Sequence, residues 1–365
     1  MRKHKIQIVI ILVLLIIVCI LAGIFLFQEK EQSPEQPEPT TEVEQTPEVD
    51  DNEIVLLAEN GNGEISAIRG NGEEVVLMDP SRYDGFAYTY YQDRLYLYLG
   101  PDHSNEASSG NTLGYIDLTQ DDYPFTILGE VVGENAPKSI AVAGNTIYYT
   151  NSTGNIYLYN MENGNNVETH TLDIGANASL YTISDEIMGY SSPGMESLSG
   201  SSDPSIGIVN VQTGEKQVID DNVSVQFLYQ GNVVYLKYVA TDHSTWEYYE
   251  YRISDGTTTK ISDETSAAVT SLDNTNIVPV EDGYIYVNQN TLYQFKNNEI
   301  QKLYEFDGPI YFMNLVSRNE LNLMYQAQVN PEQNTSVSYY QKLNLDTLEL
   351  EEAENKQYSK MLYIR

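Results

Sequence analysis

From residue 53 to the C-terminus, apolar and polar residues alternate in short runs broken by clusters of Gly, Asn, Asp and Ser. Period-two alternation puts successive side chains on opposite faces of a strand, so the pattern predicts many short strands and almost no helix. The stretch NTIYYTNSTGNIYLYNMENGNNVETHTL at 145–172 shows the unit most clearly. It reads as a turn residue, a strand, a polar gap, a second strand with aromatic alternation, a turn at Glu162-Asn163-Gly164, and a third strand. The same template recurs at 53–78, 93–128, 186–219, 231–261, 282–303 and 320–353, giving seven copies. Their first strands begin near Ile54, Leu95, Ile147, Ile187, Val233, Ile285 and Leu321, at spacings of 41, 52, 40, 46, 52 and 36 residues.

These spacings scatter about the length of a four-stranded propeller blade. Each copy supplies three strands, and a fourth is available between copies at 86–90, 139–142, 179–182, 224–228, 277–280 and 310–315. The seventh lies in YSKMLYIR at 358–365. The first copy starts at its second strand, and the last is followed by a spare first strand. Pairing the two closes a ring, whereas a linear array leaves 54–58 as an unpaired edge. The expected fold class is therefore all-β: a seven-bladed β-propeller over 53–365, closed by the C-terminal strand. Six or eight blades stay open as readings, because 276–320 is compact.

The N-terminus breaks the pattern. Residues 6–27 are apolar except Gln7, and 22 helical residues span roughly 33 Å, enough for a bilayer core. Arg2, Lys3 and Lys5 precede them and an acidic run follows, which puts residues 1–5 in the cytoplasm and the rest outside, on a single-pass anchor in the cell membrane. Two other readings stay open: a cleaved signal peptide, against which the long apolar core counts, and acylation at Cys19, against which Val18 counts. Residues 28–52 hold nine acids and four prolines without an aromatic, and read as a disordered stalk.

Charge narrows the function. The chain carries 53 Asp+Glu against 19 Lys+Arg, three of which precede residue 6. The part beyond the apolar segment thus has a net charge of −37, which argues against nucleic acid and against anionic surfaces held by general electrostatics. The single cysteine excludes a disulfide framework and a cysteine-rich zinc site. The 30 tyrosines suit half-buried strands, where the ring packs and the hydroxyl reaches water.

Tyr148-Tyr149-Thr150-Asn151, with the following GNIYLYN and NG, resembles the YWTD-type repeat of low-density-lipoprotein-receptor propellers, with Asn in place of Asp. It is more similar still to an uncharacterised Tyr- and Asn-rich propeller family of Gram-positive surface proteins. The resemblance implies that this tetrapeptide lies on the second strand of a blade. It also implies a propeller that binds something and carries no catalytic residue. The receptor family has six blades where this chain shows seven copies.

Candidate chemistry is sparse. There is no HExxH, no CxxC and no glycine-rich phosphate loop, and no cofactor is expected. Asn-Gly text at 60–64 reads as a type I′ hairpin turn. Asp-His-Ser recurs in the same inter-strand loop of two copies, making Asp102, His103, Asp242 and His243 the candidate ligand-binding residues, with inherited turn chemistry as the alternative. Asp121-Asp122 and Asp220-Asp221-Asn222 could offer oxygen ligands to Ca²⁺, although neither has the alternating acidic spacing of a known loop. Trp246, the single tryptophan, reads as packing between blades or as a partner anchor. Sequons at Asn151, Asn177, Asn222 and Asn334 matter only in a glycosylating host. The expectation is a non-catalytic module binding a surface protein, peptide or glycan through long loops near 100–110, 191–204, 239–245 and 327–335. The alternative is a polysaccharide-active enzyme with paired carboxylates facing each other across the central channel.

Overall fold

The computed structural model describes residues 51–365, apart from 105–109, 132–134, 170–171, 173, 175–177, 193–195, 198–199, 202–203, 240–243, 266–275, 331–334, 354, 356–357 and 365. The expected membrane helix at 6–27 and all but the end of the expected stalk lie outside these residues. Among the described residues no helix is long and apolar enough to cross a membrane. Asp51 and Asn52, assigned from composition to the stalk, instead belong to the first blade. Their carbonyls accept from the Asn71 N–H at 3.1 Å and the Arg69 guanidinium at 3.0 Å.

The described strands form seven four-stranded antiparallel sheets, each ordered from an inner to an outer strand. Blade 1 runs from the inner strand Tyr358–Tyr363 through Ile54–Asn60 and Ile65–Arg69 to Glu74–Met78. Blade 2 comprises Phe86–Tyr91, Arg94–Leu99, Asn111–Asp117 and Phe125–Val131. Blade 3 comprises Pro137–Ala143, Thr146–Asn151, Ile156–Asn160 and Asn166–Thr169. Blade 4 has Ser179–Thr182, Ile187–Ser192, Ser205–Asn210 and Lys216–Asp221, with a small unforeseen hairpin at 196–201 between its second and third strands. Blade 5 has Val223–Tyr229, Asn232–Tyr238, Trp246–Arg252 and Thr257–Lys260. Blade 6 has Ile277–Val280, Gly283–Asn288, Thr291–Lys296 and Glu299–Glu305. Blade 7 has Ile310–Ser317, Glu320–Asn330, Thr335–Asn344 and Leu350–Glu352.

Ring closure follows the sequence reading. The C-terminal strand pairs antiparallel with the first, Leu57 opposite Leu362 and Ala58 opposite Met361. Tyr148–Asn151 lies on the second strand of blade 3, as the YWTD resemblance implies. Its Asn151, fully buried, braces the next turn by accepting from the Thr153 N–H at 3.2 Å and hydroxyl at 2.5 Å.

The core lies between blades rather than within one of them. Ile140, Ile147 and Tyr149 of blade 3 pack against Tyr96, Tyr98 and Leu113 of blade 2. On its other side, Ala141, Tyr148 and Ile156 pack against Leu180, Met188 and Tyr190 of blade 4. Alternate residues of one strand thus serve two neighbours, which is why strands buried on both faces read as strongly apolar. Trp246, 6% exposed, packs with Ile261, Ile277 and Tyr284 between blades 5 and 6, so its packing reading holds.

Outer edges are managed in two ways. The outer strands of blades 1, 2, 4 and 6, five to seven residues long, each carry a register shift against their neighbour. Those of blades 3, 5 and 7 pair regularly but have only three or four residues. Bulged or short edges are poor templates for a second chain. Gly207 sits at one such shift because a Cβ there would lie 2.5 Å from the Tyr190 ring.

Two turn expectations need correction. In the hairpin at 60–64 the Gly63 N–H bonds the Asn60 carbonyl at 2.9 Å, and only Gly63 has positive φ (83°). That is a type I turn followed by a left-handed glycine, since type I′ needs positive φ at both central residues. The loop expected at 327–335 is shorter, because alternation carries the ladder on to Ala327 opposite Val337 and Gln328 opposite Ser336.

Candidate functional site

The up-and-down order of four strands in each blade sets which connections share a rim. On one rim, first-to-second-strand and third-to-fourth-strand turns are short and stitched together. The N–H groups of Leu118, Met161, Val211 and Leu345 donate to the carbonyls of Asp93, Asn145, Glu186 and Asn319 at 2.8–2.9 Å. The other rim carries the second-to-third-strand loops and the connections between blades, including the long ones. The long loops thus share one rim, and the hydrogen-bonded short turns share the other.

Of the four sequence-derived candidates, Asp242 and His243 lie outside the described residues. Asp102 and His103 are tied into the blade 1 to blade 2 connection: Asp102 bridges Tyr83 in a short antiparallel pair, and the His103 N–H donates to the Arg82 carbonyl at 2.9 Å. The Asp102 carboxylate accepts from the Ser104 N–H at 2.8 Å and hydroxyl at 2.6 Å, and stands 3.5 Å from Arg82. The Ser104 bonds, with Arg82 behind them, hold its carboxyl below the usual range. Its observed work is to brace its own loop. His103 is exposed beside it.

Of the Ca²⁺ candidates, Asp220 is similarly engaged. Asp220 takes the Lys237 ammonium at 2.6 Å and the Tyr235 hydroxyl at 3.2 Å. Asp121 lines a small cavity of ≈ 230 Å³ together with the cationic Arg69. No cluster of three or more His, Cys, Asp or Glu side chains suited to a metal occurs among the described residues.

The feature that sequence reasoning missed is a central cavity of ≈ 830 Å³, lined by the inner strands of blades 1 to 5 and residues flanking them. Blades 6 and 7 do not line it, because the ring is pinched beside them. Tyr363 of blade 1 meets Phe227 of blade 5, and Ile277, Ile310 and Met313 pack behind that contact. A second cross-link holds the opposite side. The Thr89 hydroxyl of blade 2 donates to the Thr182 hydroxyl of blade 4 at 2.9 Å, and Thr182 also accepts the Val142 N–H of blade 3 at 2.8 Å.

The cavity wall is aromatic and amide-rich, with Tyr88, Tyr90, Tyr181, Tyr229, Gln92 and Gln226 among its residues. Its charged lining residues are Glu59, Lys138 and Lys360. The Lys360 ammonium stands 4.0 Å from the centre of the Tyr88 ring, a cation–π distance. Lys360 is exposed to the cavity yet enclosed by surrounding protein. That enclosure lowers its pKa, with Glu59 opposing, and burial lowers Lys138 as well. Burial and the nearby Glu59 push the Tyr88 phenol up, and its hydroxyl has no hydrogen-bond partner among the described residues. No sequence signal links these residues, which lie on three different blades.

No protein-family model matches the chain, and no curated protein matches it. Solved structures of similar fold include Porphyromonas gingivalis dipeptidyl peptidase 4, at 11% identity, covering 84% of this chain and 54% of that one, with a TM-score of 0.48. The computationally designed Ika8 protein matches at 12% identity over 82% of this chain and 87% of its own, with a TM-score of 0.41. The tricorn protease matches at 11% identity over 85% of this chain, with a TM-score of 0.44; the chain spans 35% of its length. At such identities no activity carries over, and the class of protein defined here, a seven-bladed β-propeller, rests on the sheet topology itself.

Proposed function

We propose that this protein is a non-catalytic binding module displayed outside the cell, on a membrane anchor at 6–27 and a stalk ending at 50, for a surface protein, peptide or glycan. A distant kinship with YWTD-type propellers belongs to the same reading, supported by the position of Tyr148–Asn151. The observation that carries the proposal is the central cavity: its ≈ 830 Å³ falls in the range of small-ligand sites, roughly 300–1,000 Å³, on a rigid closed scaffold. The enzyme alternative asks for two facing carboxylates, and Glu59 is the single acid among the cavity's lining residues. In this reading Asp102, His103, Asp242 and His243 are proposed as ligand contacts additional to the cavity.

Filling the cavity tests the idea. Ser179 lies on the inner strand of blade 4 and lines the cavity, so Ser179→Trp should occupy part of that space. Ligand capture from a cell-surface extract should be lost while the melting transition is kept. Undiminished capture by a folded Ser179→Trp variant would place binding elsewhere.

A further inference from the structure

We propose that the central cavity is selective for an acidic carbohydrate, whose anionic group sits between Lys138 and Lys360 while its ring lies against the cavity tyrosines. The inference rests on the cavity being the binding site, as argued above, and adds the chemistry of what enters it.

Charge is the first observation. The region beyond the apolar segment has a net charge of −37, yet this cavity has two lysines and one glutamate among its lining residues and no aspartate, arginine or histidine. An excess of positive charge has been placed inside an acidic shell. At physiological salt the Debye length is about 8 Å, so the outer carboxylates are largely screened from a group inside while nearby lysines are not. The same shell repels long anionic polymers from the outer surface. A short acidic ligand that fits the cavity avoids that penalty.

Placement is the second. Lys138 is the second residue of the inner strand of blade 3 and Lys360 lies on the inner strand of blade 1. They flank the inner strand of blade 2, where Tyr88 stands under the Lys360 ammonium. Surrounding protein encloses the Lys360 ammonium and leaves it less well hydrated than at an open surface, whereas Lys138 stands exposed at the cavity wall. An anion supplies the stabilisation that the missing water would have given.

The wall supplies the third. Tyrosine rings present flat apolar faces to the C–H side of a sugar, and the Gln226 amide offers a donor and an acceptor to its hydroxyls, the Gln92 amide nitrogen being already bonded to Tyr91 and Asp185. The Tyr88 hydroxyl, on a side chain only 4% exposed, has its hydrogen-bonding capacity unspent among the described residues. A purely apolar ligand would leave that hydroxyl unpaired.

The test is calorimetric titration of the purified full chain with glucuronate, glucose 6-phosphate and glucose. At least one acid should bind tenfold or more tightly than glucose; which one does distinguishes a carboxylate from a phosphate ligand. Lys138→Gln and Lys360→Gln should each weaken that acid about tenfold with an unchanged melting midpoint, and Lys360→Arg should restore most of the loss. Lys302→Gln, on the outer strand of blade 6, should change nothing. Equal binding of glucose, failure of both acids to bind, or indifference to the cavity lysines would overturn the inference. If Ser179→Trp abolishes capture while the lysine variants keep full affinity, the acid preference falls and the cavity reading stands. If Ser179→Trp leaves binding intact, the cavity reading falls with it.

Discussion

The Tyr363 ring meets the Phe227 ring edge-on, with centroids 5.0 Å apart and planes at 61°. Tyr363 belongs to the closing strand of blade 1, and Phe227 to the inner strand of blade 5, with blades 6 and 7 between them in the ring. The strand that closes the ring therefore also carries a contact that bounds the cavity. Deleting 358–365 removes the inner strand of blade 1 and this aromatic pair together, and should abolish cooperative unfolding. Tyr363→Ala, at a site 6% exposed, should cost about 3 kcal/mol in urea denaturation. A truncated chain with an unaltered melting transition would refute closure by this strand.

Leu348 stands where sister blades have glycine. In three turns between third and fourth strands, an asparagine side chain accepts two backbone N–H groups: Asn160 from Glu162 and Asn163, Asn210 from Gln212 and Thr213, Asn344 from Asp346 and Thr347. Each turn ends in a left-handed residue: Gly164 at φ 70°, Gly214 at φ 74° and Leu348 at φ 57°. A leucine there suffers a Cβ clash that glycine avoids. Leu348→Gly should therefore stabilise the protein by about 1 kcal/mol, read as a higher urea midpoint. A lower midpoint would show that the half-exposed leucine packs more usefully than its backbone suggests.

Buried tyrosines should set an alkaline limit. Burial pushes Tyr98 up to about 12, partly offset by the Asn111 bond to its hydroxyl, and drives Tyr149, Tyr284 and Tyr363 higher still. An unfolded tyrosine ionises near pH ~10. Below that both states keep the proton, so the stability is fully present. Above it the unfolded chain releases protons that the folded one retains, and stability falls by about 1.4 kcal/mol per pH unit for each such group until its folded pKa is reached. The urea midpoint should stay flat in this respect up to pH ~10 and then drop, with tyrosinate absorbance appearing at the unfolding transition. Tyrosinate absorbance rising fully before unfolding would show that these hydroxyls reach solvent in the native ring.

Much of the architecture was legible in the chain. The strand expected at 179–182 is Ser179–Thr182, and that at 277–280 is Ile277–Val280, because inner strands packed on both faces are short apolar runs between turn residues. The site was not legible by the same means. The repeated Asp-His-Ser text drew attention to Asp102, whose carboxylate turns back on Ser104 and Arg82, a local turn chemistry that imitates a binding motif. Lys138 and Lys360 carried no motif at all.

By itself, then, the sequence determined the four strands of each repeated unit, a count of seven copies with six or eight blades still open, and the offset of the C-terminal strand. These follow from period-two alternation and turn residues, which act over a few neighbouring positions. Only the tertiary structure decided that Tyr363 reaches Phe227, that Thr89 reaches Thr182, and that the remaining space brings Glu59, Lys138, Lys360 and Tyr88 to one cavity. Those relations depend on how far each blade leans toward the axis once the ring has closed. That is set by the summed packing of all seven blade interfaces, and no single stretch of chain encodes it.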